Sequence, residues 1–531
     1  MAARPPPLKL SSRTTDMLTR MSDRWTKIVV VGLLAVVVGV PFVLRPRDEA
    51  GASVVAGDSS HRLVIVTPHN EQIRYEVEAA FNAWRASRDL PAIIFDWRSS
   101  GGTSDLRNQV LHELQKAAQQ GREQDGLGYD LFFGGGDYEH TLLANGVKVQ
   151  RGDEQVTIPA SVPVTLPPGL LEQAFPQPVI GGEPLYHKEL RWVGVVLSGF
   201  GIVYNRDVLG MLQLPEPVTW RDMTDPRYQG WVALADPGHS GSIAATYNAI
   251  LRREGWDEGW AMLRRIFANA RYFTASAAKV PVDVSAGEAA AGMCIDFYGR
   301  FQAGAIGGQR VGYIDPPQMS AINADPISIM IGAPHHDLAN EFVVWLLSRQ
   351  AQHLWNRRLG EEHGPRRFEL RRMPVRHDLY TPDEQARWTD ATVNPFDLAA
   401  PFPKPMPSFH SQVAPVAHAL AIDIHDDLVA AWAAISALDD ADLRKTQALT
   451  HFDAMPSELT VPWPDDELAQ TWRTIISDPA HPRYDEAAKV LGDFRKNLSS
   501  MLSTTDDKLA KRLEWTAFFR EQYALAREAA R

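Results

Sequence analysis

Five places in the chain bring together residue types that can hold a small charged or polar ligand. Ser99-Ser100-Gly101-Gly102-Thr103-Ser104 and Gly238-His239-Ser240-Gly241-Ser242 each join glycines to hydroxyls just before an apolar periodic run. Backbone N–H groups and hydroxyls at such a helix start suit an anion. Capping by Thr103 or Ser104 is the ordinary competing role, and the two roles are compatible. Gly134-Gly135-Gly136 follows YDLFF and allows either close backbone approach to a ligand or a loop with positive φ. His69 follows the first strand directly, where a cleft ligand is expected. Asp296 and Tyr298 set a carboxylate and a phenol at the end of the apolar run AAAGMCIDF, and Arg300 either pairs with Asp296 or covers a helix. The candidate ligand contacts are therefore His69, Ser100, Gly101, Thr103, Gly135, Ser198, Ser240, Gly241, Ser242, Asp296 and Tyr298.

Other chemistries find less support. GHSGS comes near the Gly-x-Ser-x-Gly nucleophile turn of hydrolases, but Ser242 stands where the closing glycine belongs, so that tight turn would be strained. The lone Cys294 lies in an apolar run and reads as a small core residue rather than a nucleophile. His335-His336 lacks the His-Glu-x-x-His spacing of a zinc protease and reads as a solvated helix start. Neither a Walker phosphate loop nor a dinucleotide fingerprint occurs, which removes ATP hydrolysis and hydride transfer as strong candidates.

The elements that must position these residues alternate. Arg62 to Thr67, Ala92 to Trp97 and Tyr129 to Phe133 read as strands, and helical periodicity runs through Ile73–Trp84 and Leu106–Ala118. This spacing predicts an α/β lobe with a mostly parallel sheet. The stretch Arg191 to Asn205, RWVGVVLSGFGIVYN, is too long for one strand, since fifteen extended residues span about 50 Å. Its glycines mark a bend, and it reads as a crossing from one lobe to another; a buried strand pair with a glycine kink is the simpler alternative. Beyond it the pattern resumes: a strand at Trp231–Ala235, a helix at Ile243–Leu251, strands at Ala289–Phe297, Val311–Ile314 and Ile327–Ile331, and a helix at Leu338–Leu347. From about 380 the alternation gives way to Ala- and Leu-rich helical segments at 415–438, 466–477, 485–501 and 508–529.

A net charge of −11 over 531 residues argues against a general nucleic-acid binder. The apolar run Ile28 to Leu44 behind a basic flank has the form of a signal anchor or export signal, which places the body outside the cytoplasmic membrane. Ala50-Gly51-Ala52 offers a cleavage site, retention as an anchor is the preferred outcome, and no cysteine follows for a lipid anchor. The expected organisation is a basic segment 1–27, the apolar run 28–44, a linker 45–60, lobe 1 over 61–198, lobe 2 over 199–311, a return to lobe 1 over 312–380 and a helical extension 381–531.

Taken in order, VTPHNEQ, GGTS, YDLFFGGG, WVGVVLSGFGIVYNRDVL, TDPRYQGWVALADPGHSGS, VDVSAGEAAAGMCIDFYGR and DPISIMIGAPHHDLANEFVVWLLS resemble the type 2 periplasmic solute-binding proteins of ABC importers. The resemblance covers roughly residues 61 to 380 and is nearest to the ferric-iron-binding class and its relatives for polyamines, thiamine and phosphorylated sugars. It implies a two-lobed α/β fold closing on hinge strands near 195–203 and 311–331, a small-molecule or ion ligand, no required cofactor, no enzymatic activity and an ABC permease as partner. His69 and Tyr298 fall on metal-ligand positions of the iron binders, and Ser240-Gly241-Ser242 on their anion loop. Two departures weaken Fe³⁺ as the transported ligand: Phe297 replaces one of two adjacent tyrosines, and the carboxylate expected near Gly134 to Gly136 is missing. A phosphorylated or other anionic metabolite suits the loops at least as well. The alternative function is a membrane-tethered sensor or scaffold that uses the same fold without transport.

Overall fold

The computed structural model describes residues 61–305, 308–317, 320–399 and 406–531. The apolar run 28–44 and the linker 45–60 lie outside the described residues, and none of the described helices is long and apolar enough to cross a membrane.

In chain order the first lobe opens with β1 (Arg62–Val66), α1 (Glu71–Ala86), β2 (Ile94–Arg98), α2 (Thr103–Gln119), β3 (Leu131–Phe133), α3 (Asp137–Asn145) and β4 (Ser161–Val162). The crossing stretch then forms β5 (Val193–Ser198) and β6 (Phe200–Asn205). The second lobe continues through β7 (Val232–Ala235), α4 (Gly241–Glu254), α5 (Trp256–Ala268), β8 (Ala270–Thr274), β9 (Ala291–Ile295), α6 (Asp296–Ala305) and β10 (Val311–Ile314). The chain returns as β11 (Asn323–Met330) and α7 (His336–Leu346).

Two sheets result. One has the order β2-β1-β3-β11-β4, with β5 also paired to β11; the other runs β8-β7-β9-β6-β10. Adjacent strands of one continuous run thus belong to different sheets: Ser198 of β5 pairs with Asn323, while Phe200 of β6 pairs with Ile295. Every residue of β5 and β6 is buried, which is why the stretch lacks the apolar/polar alternation of a half-exposed strand. Each sheet is mixed rather than mostly parallel. β1, β2 and β3 run parallel, but the returning β11 is antiparallel to its neighbours, and β6 is antiparallel to both β9 and β10. The crossing connection reverses strand direction, and local strand–helix alternation carries no information about that reversal.

Residues 370–399 stay with lobe 1: Leu370, Met373 and Val375 join its core, and Met373 bridges to Leu197. From Met406 onward the chain packs on lobe 2. It forms α8 (His410–Ala417), one π-type turn (His418–Ile422), α9 (His425–Ser436), α10 (Leu443–Phe452), α11 (Asp466–Ser477), α12 (Tyr484–Met501) and α13 (Thr505–Ala529). These helices and lobe 2 share one hydrophobic core. Helix α5 explains why. Trp256, Trp260, Leu263 and Phe267 bury one side and Met262, Arg264 and Ile266 the other, so it needs cover on nearly its whole circumference. The buried guanidinium of Arg264 donates to the carbonyls of Phe452 and Ala454, and Trp256 Nε1 donates to the Leu459 carbonyl at 2.6 Å.

Candidate ligand-binding site

A cavity of ≈ 260 Å³ lies between the lobes, where helices begin at the ends of strands. Thr103, Asp137 and Gly241, the first residues of α2, α3 and α4, all line it. The residues preceding these helices, Gly102, Gly136 and Ser240, supply no side-chain acceptor to the helix starts. Three helix starts without a side-chain N-cap therefore border one space, each with the partial positive charge of a helix N-terminus, and at α2 the Asp105 carboxylate accepts from the Gly102 N–H at 3.4 Å.

Of the candidates read from sequence, His69, Thr103, Gly135, Ser198, Gly241, Ser242 and Tyr298 line this cavity. Four do not. Ser100 and Gly101 sit exposed on the loop ahead of α2. Ser240 is buried with its hydroxyl 3.1 Å from that of Ser242, and that contact is with a hydroxyl rather than a histidine base. Asp296 opens helix α6 instead of ending a strand, because β9 stops at Ile295. Its carboxylate turns to Arg300 (3.1 Å), which also reaches Asp315 at 2.6 Å; burial pushes the Asp296 carboxyl up to about 6, with Arg300 opposing. His335 is not merely solvated: its N–H and ring hold the buried Asp130 at 2.7 and 3.1 Å.

Several residues of the site carry no local sequence signal. Arg372, from the segment after α7, is fully buried beside His69. Its Nη1 donates to His69 Nε2 at 3.1 Å and its Nη2 to Ser198 Oγ at 2.7 Å, and it forms an ion pair with Asp325. Burial alone would raise the Asp325 carboxyl, but Arg372 and His69 hold it down at about 2. The guanidinium also sits 4.3 Å over the Phe297 ring. The carboxylate counted as missing near Gly134 to Gly136 is Asp137, which directly follows the three glycines, starts α3 and lines the cavity. Asn323 Nδ2 donates to it at 3.0 Å; burial, reinforced by the charge of Glu183, pushes its carboxyl up to about 7. The other acids on the cavity have guanidinium partners: Glu139 with Arg107, Glu183 with Arg252, Asp325 with Arg372.

Ferric iron does not fit this donor set. Fe³⁺ wants anionic oxygen, and burial pushes the Tyr298 phenol up to about 12, so giving up its proton to the ion costs more than for an exposed phenol. His69 Nε2 lies 3.1 Å from Arg372 Nη1 and 3.4 Å from Asp325 Oδ2, so a guanidinium charge already stands beside it. Among the described residues no group of three or more His, Cys, Asp or Glu side chains is placed to hold a metal ion.

Residues 176–362 match the family described as bacterial extracellular solute-binding protein. Over 162 residues the chain is 30% identical to the phosphoglycerate transport regulatory protein PgtC of Salmonella typhimurium, a match covering 30% of this chain and 40% of the relative. The chain therefore spans well under half the length of the curated relatives it matches. The periplasmic binding protein AfuA from Actinobacillus pleuropneumoniae, solved with fructose-6-phosphate, superposes with a TM-score of 0.50 at 16% identity. That superposition covers 70% of this chain and 97% of AfuA, and the likeness is one of fold. Iron-bound HitA from Pseudomonas aeruginosa gives a TM-score of 0.45 at 15% identity over 64% of this chain and 92% of HitA. The matched stretch, which contains the crossing strands and the sheet of lobe 2, shares the two-lobed fold of AfuA.

Proposed function

We propose that the chain is the solute-capturing component of an ABC-type importer, lying outside the cytoplasmic membrane, and that its cargo is a small organic anion of the phosphorylated-metabolite class. The observation that carries this reading is the meeting, at one interlobe cavity, of three helix starts that lack a side-chain N-cap. Thr103, Gly135, Gly241 and Ser242 are the expected anion contacts, with His69, Ser198 and Tyr298 lining the rest. The volume suits a metabolite smaller than a drug-sized ligand. Capture works by hinge closure on β5–β6 and β10–β11, which a ligand favours only through its differential affinity for the closed form. The names of PgtC and of the AfuA complex point to phosphorylated ligands in those proteins, and support the same class here.

Thermal shift of the full chain against 3-phosphoglycerate, fructose 6-phosphate, inorganic phosphate and ferric citrate tests it. A bound probe at a hundredfold excess over Kd adds about 2.7 kcal/mol to stability. A shift with ferric citrate and none with any phosphate ester overturns the proposed cargo.

A second reading is a membrane-tethered sensor, favoured by the regulatory role in the name of PgtC and by the apolar run 28–44. Uptake of the labelled ligand separates the two: deletion of a transport component abolishes uptake, and deletion of a sensor leaves its chemistry intact.

A further inference from the structure

Two cavities meet at one pair of rings. The interlobe cavity of ≈ 260 Å³ and a second space of ≈ 420 Å³ share Tyr138, Glu139 and His410 in their walls. Tyr138 rides on α3 of lobe 1, and His410 is the first residue of α8 in the C-terminal bundle. Their rings stack with centroids 3.9 Å apart and planes 21° from parallel. Burial lowers the His410 imidazole to about 3, so a neutral ring faces the phenol.

The two rings belong to different bodies. Helix α8 is fixed to lobe 2: the Phe409 N–H donates to Asn248 Oδ1 of α4 at 2.8 Å, and His418 Nε2 meets Asp236 Oδ1 at 2.9 Å. Helix α3 is fixed to the lobe 1 sheet, where His140 Nδ1 meets Ser328 Oγ at 2.7 Å. Any separation of the lobes must therefore part the stack. Ser408, just ahead of α8, faces the inner cavity, while Lys508 and Arg512 of α13 line the outer space.

We propose that the C-terminal bundle is part of the binding site: Ser408 and His410 complete the wall of the ligand cavity, and the Tyr138–His410 stack, beside the Glu183–Arg252 and Asp105–His239 pairs that also cross between the lobes, is the latch that bars the way from the outer space to the inner one. The proposal rests on the reading that the inner cavity is the ligand site. The solute-binding match ends at residue 362, so it assigns no role to these residues. A bundle that merely stabilised lobe 2 would have no need of a ring-to-ring contact with lobe 1.

The test uses thiol accessibility in the full chain without ligand. Cys294, the only native cysteine, is fully buried and gives the background. Ala245→Cys places a thiol on the inner cavity wall, and its modification by a bulky cationic methanethiosulfonate reports how often the latch opens. In that background His410→Ala and Tyr138→Ala each speed modification by roughly three- to tenfold, the worth of an aromatic pair. His410→Phe, which restores a stacked ring, returns the rate to that of the parent. Unchanged rates in the two alanine variants overturn the latch. The alanine changes sit on different bodies, so misfolding of one leaves the other decisive. Since the rate is read without ligand, a chain that binds no phosphate ester, which would overturn the proposed function, still decides the latch.

Discussion

At the scale of single residues, two buried carboxylates on the cavity behave in opposite ways, and their neighbours explain why. Asp137 faces Glu183 and has an amide, Asn323, as its hydrogen-bond donor, so burial and like charge raise its carboxyl to about 7. The folded chain therefore keeps a proton that the unfolded chain releases from about pH 4 upward, and stability falls as pH rises from there through about 7. Asp137→Asn is expected to melt higher than the parent at pH 8, with the gain vanishing below about pH 4, as read by thermal denaturation across pH. Asp325 has Arg372 instead and is held at about 2. Its contribution to stability is full above about pH 4 and is lost as pH falls through about 2. Arg372→Leu strands that buried charge and should cost about 3–5 kcal/mol in denaturant unfolding, and adding Asp325→Asn should recover much of it. Asp137 was legible beside its three glycines. Arg372 was not, because it lies 303 residues from the His69 ring it touches.

At the scale of elements, the helix starts carry the site, and the glycine run sets where two of them stand. Gly135 has φ +101, and a Cβ there would run into the Thr103 methyl at the start of α2. The neighbouring Gly134, at φ +99, would bring a Cβ to 2.7 Å from His69 Nε2. Gly135→Ala therefore combines backbone strain with a displaced α2 N-terminus, and a loss of about 1–3 kcal/mol in stability is expected. Isothermal titration of the variant with whichever phosphate ester binds the parent should show weaker binding; unchanged affinity would separate the α2 start from the anion site. Glycine and hydroxyl composition marked these loops in the sequence. It could not tell the lining residues Thr103 and Ser242 from Ser100, which faces solvent, or from Ser240, which turns into the turn itself. Orientation at a loop depends on what packs behind it.

At the scale of the whole molecule, lobe 2 is finished by the C-terminal bundle. Trp256, Trp260 and Phe267 of α5 are buried in a core that also contains Phe452, Trp515 and Phe519. A large side chain of this kind contributes about 1.5–3 kcal/mol when fully buried. A chain ending at residue 399 leaves several such groups exposed, so it should partition to the insoluble fraction on expression, as measured by soluble yield against the full chain. Recovery of a soluble, cooperatively melting product would show that lobe 2 closes its core without the bundle.

What the sequence determined by itself was local and periodic: the strand–helix alternation, the overlong apolar stretch at Arg191–Asn205, the glycine–hydroxyl helix starts and the run of terminal helices. These follow from backbone sterics and from which face of an element is apolar, and both are written in neighbouring residues. Only the tertiary structure decided strand direction after the crossing, the pairing of Asp325 with Arg372, the turning of Asp296 toward Arg300, and the arrival of His410 at Tyr138. Each of those depends on segments distant in sequence meeting in space, where burial and charge act between groups that no spacing rule connects.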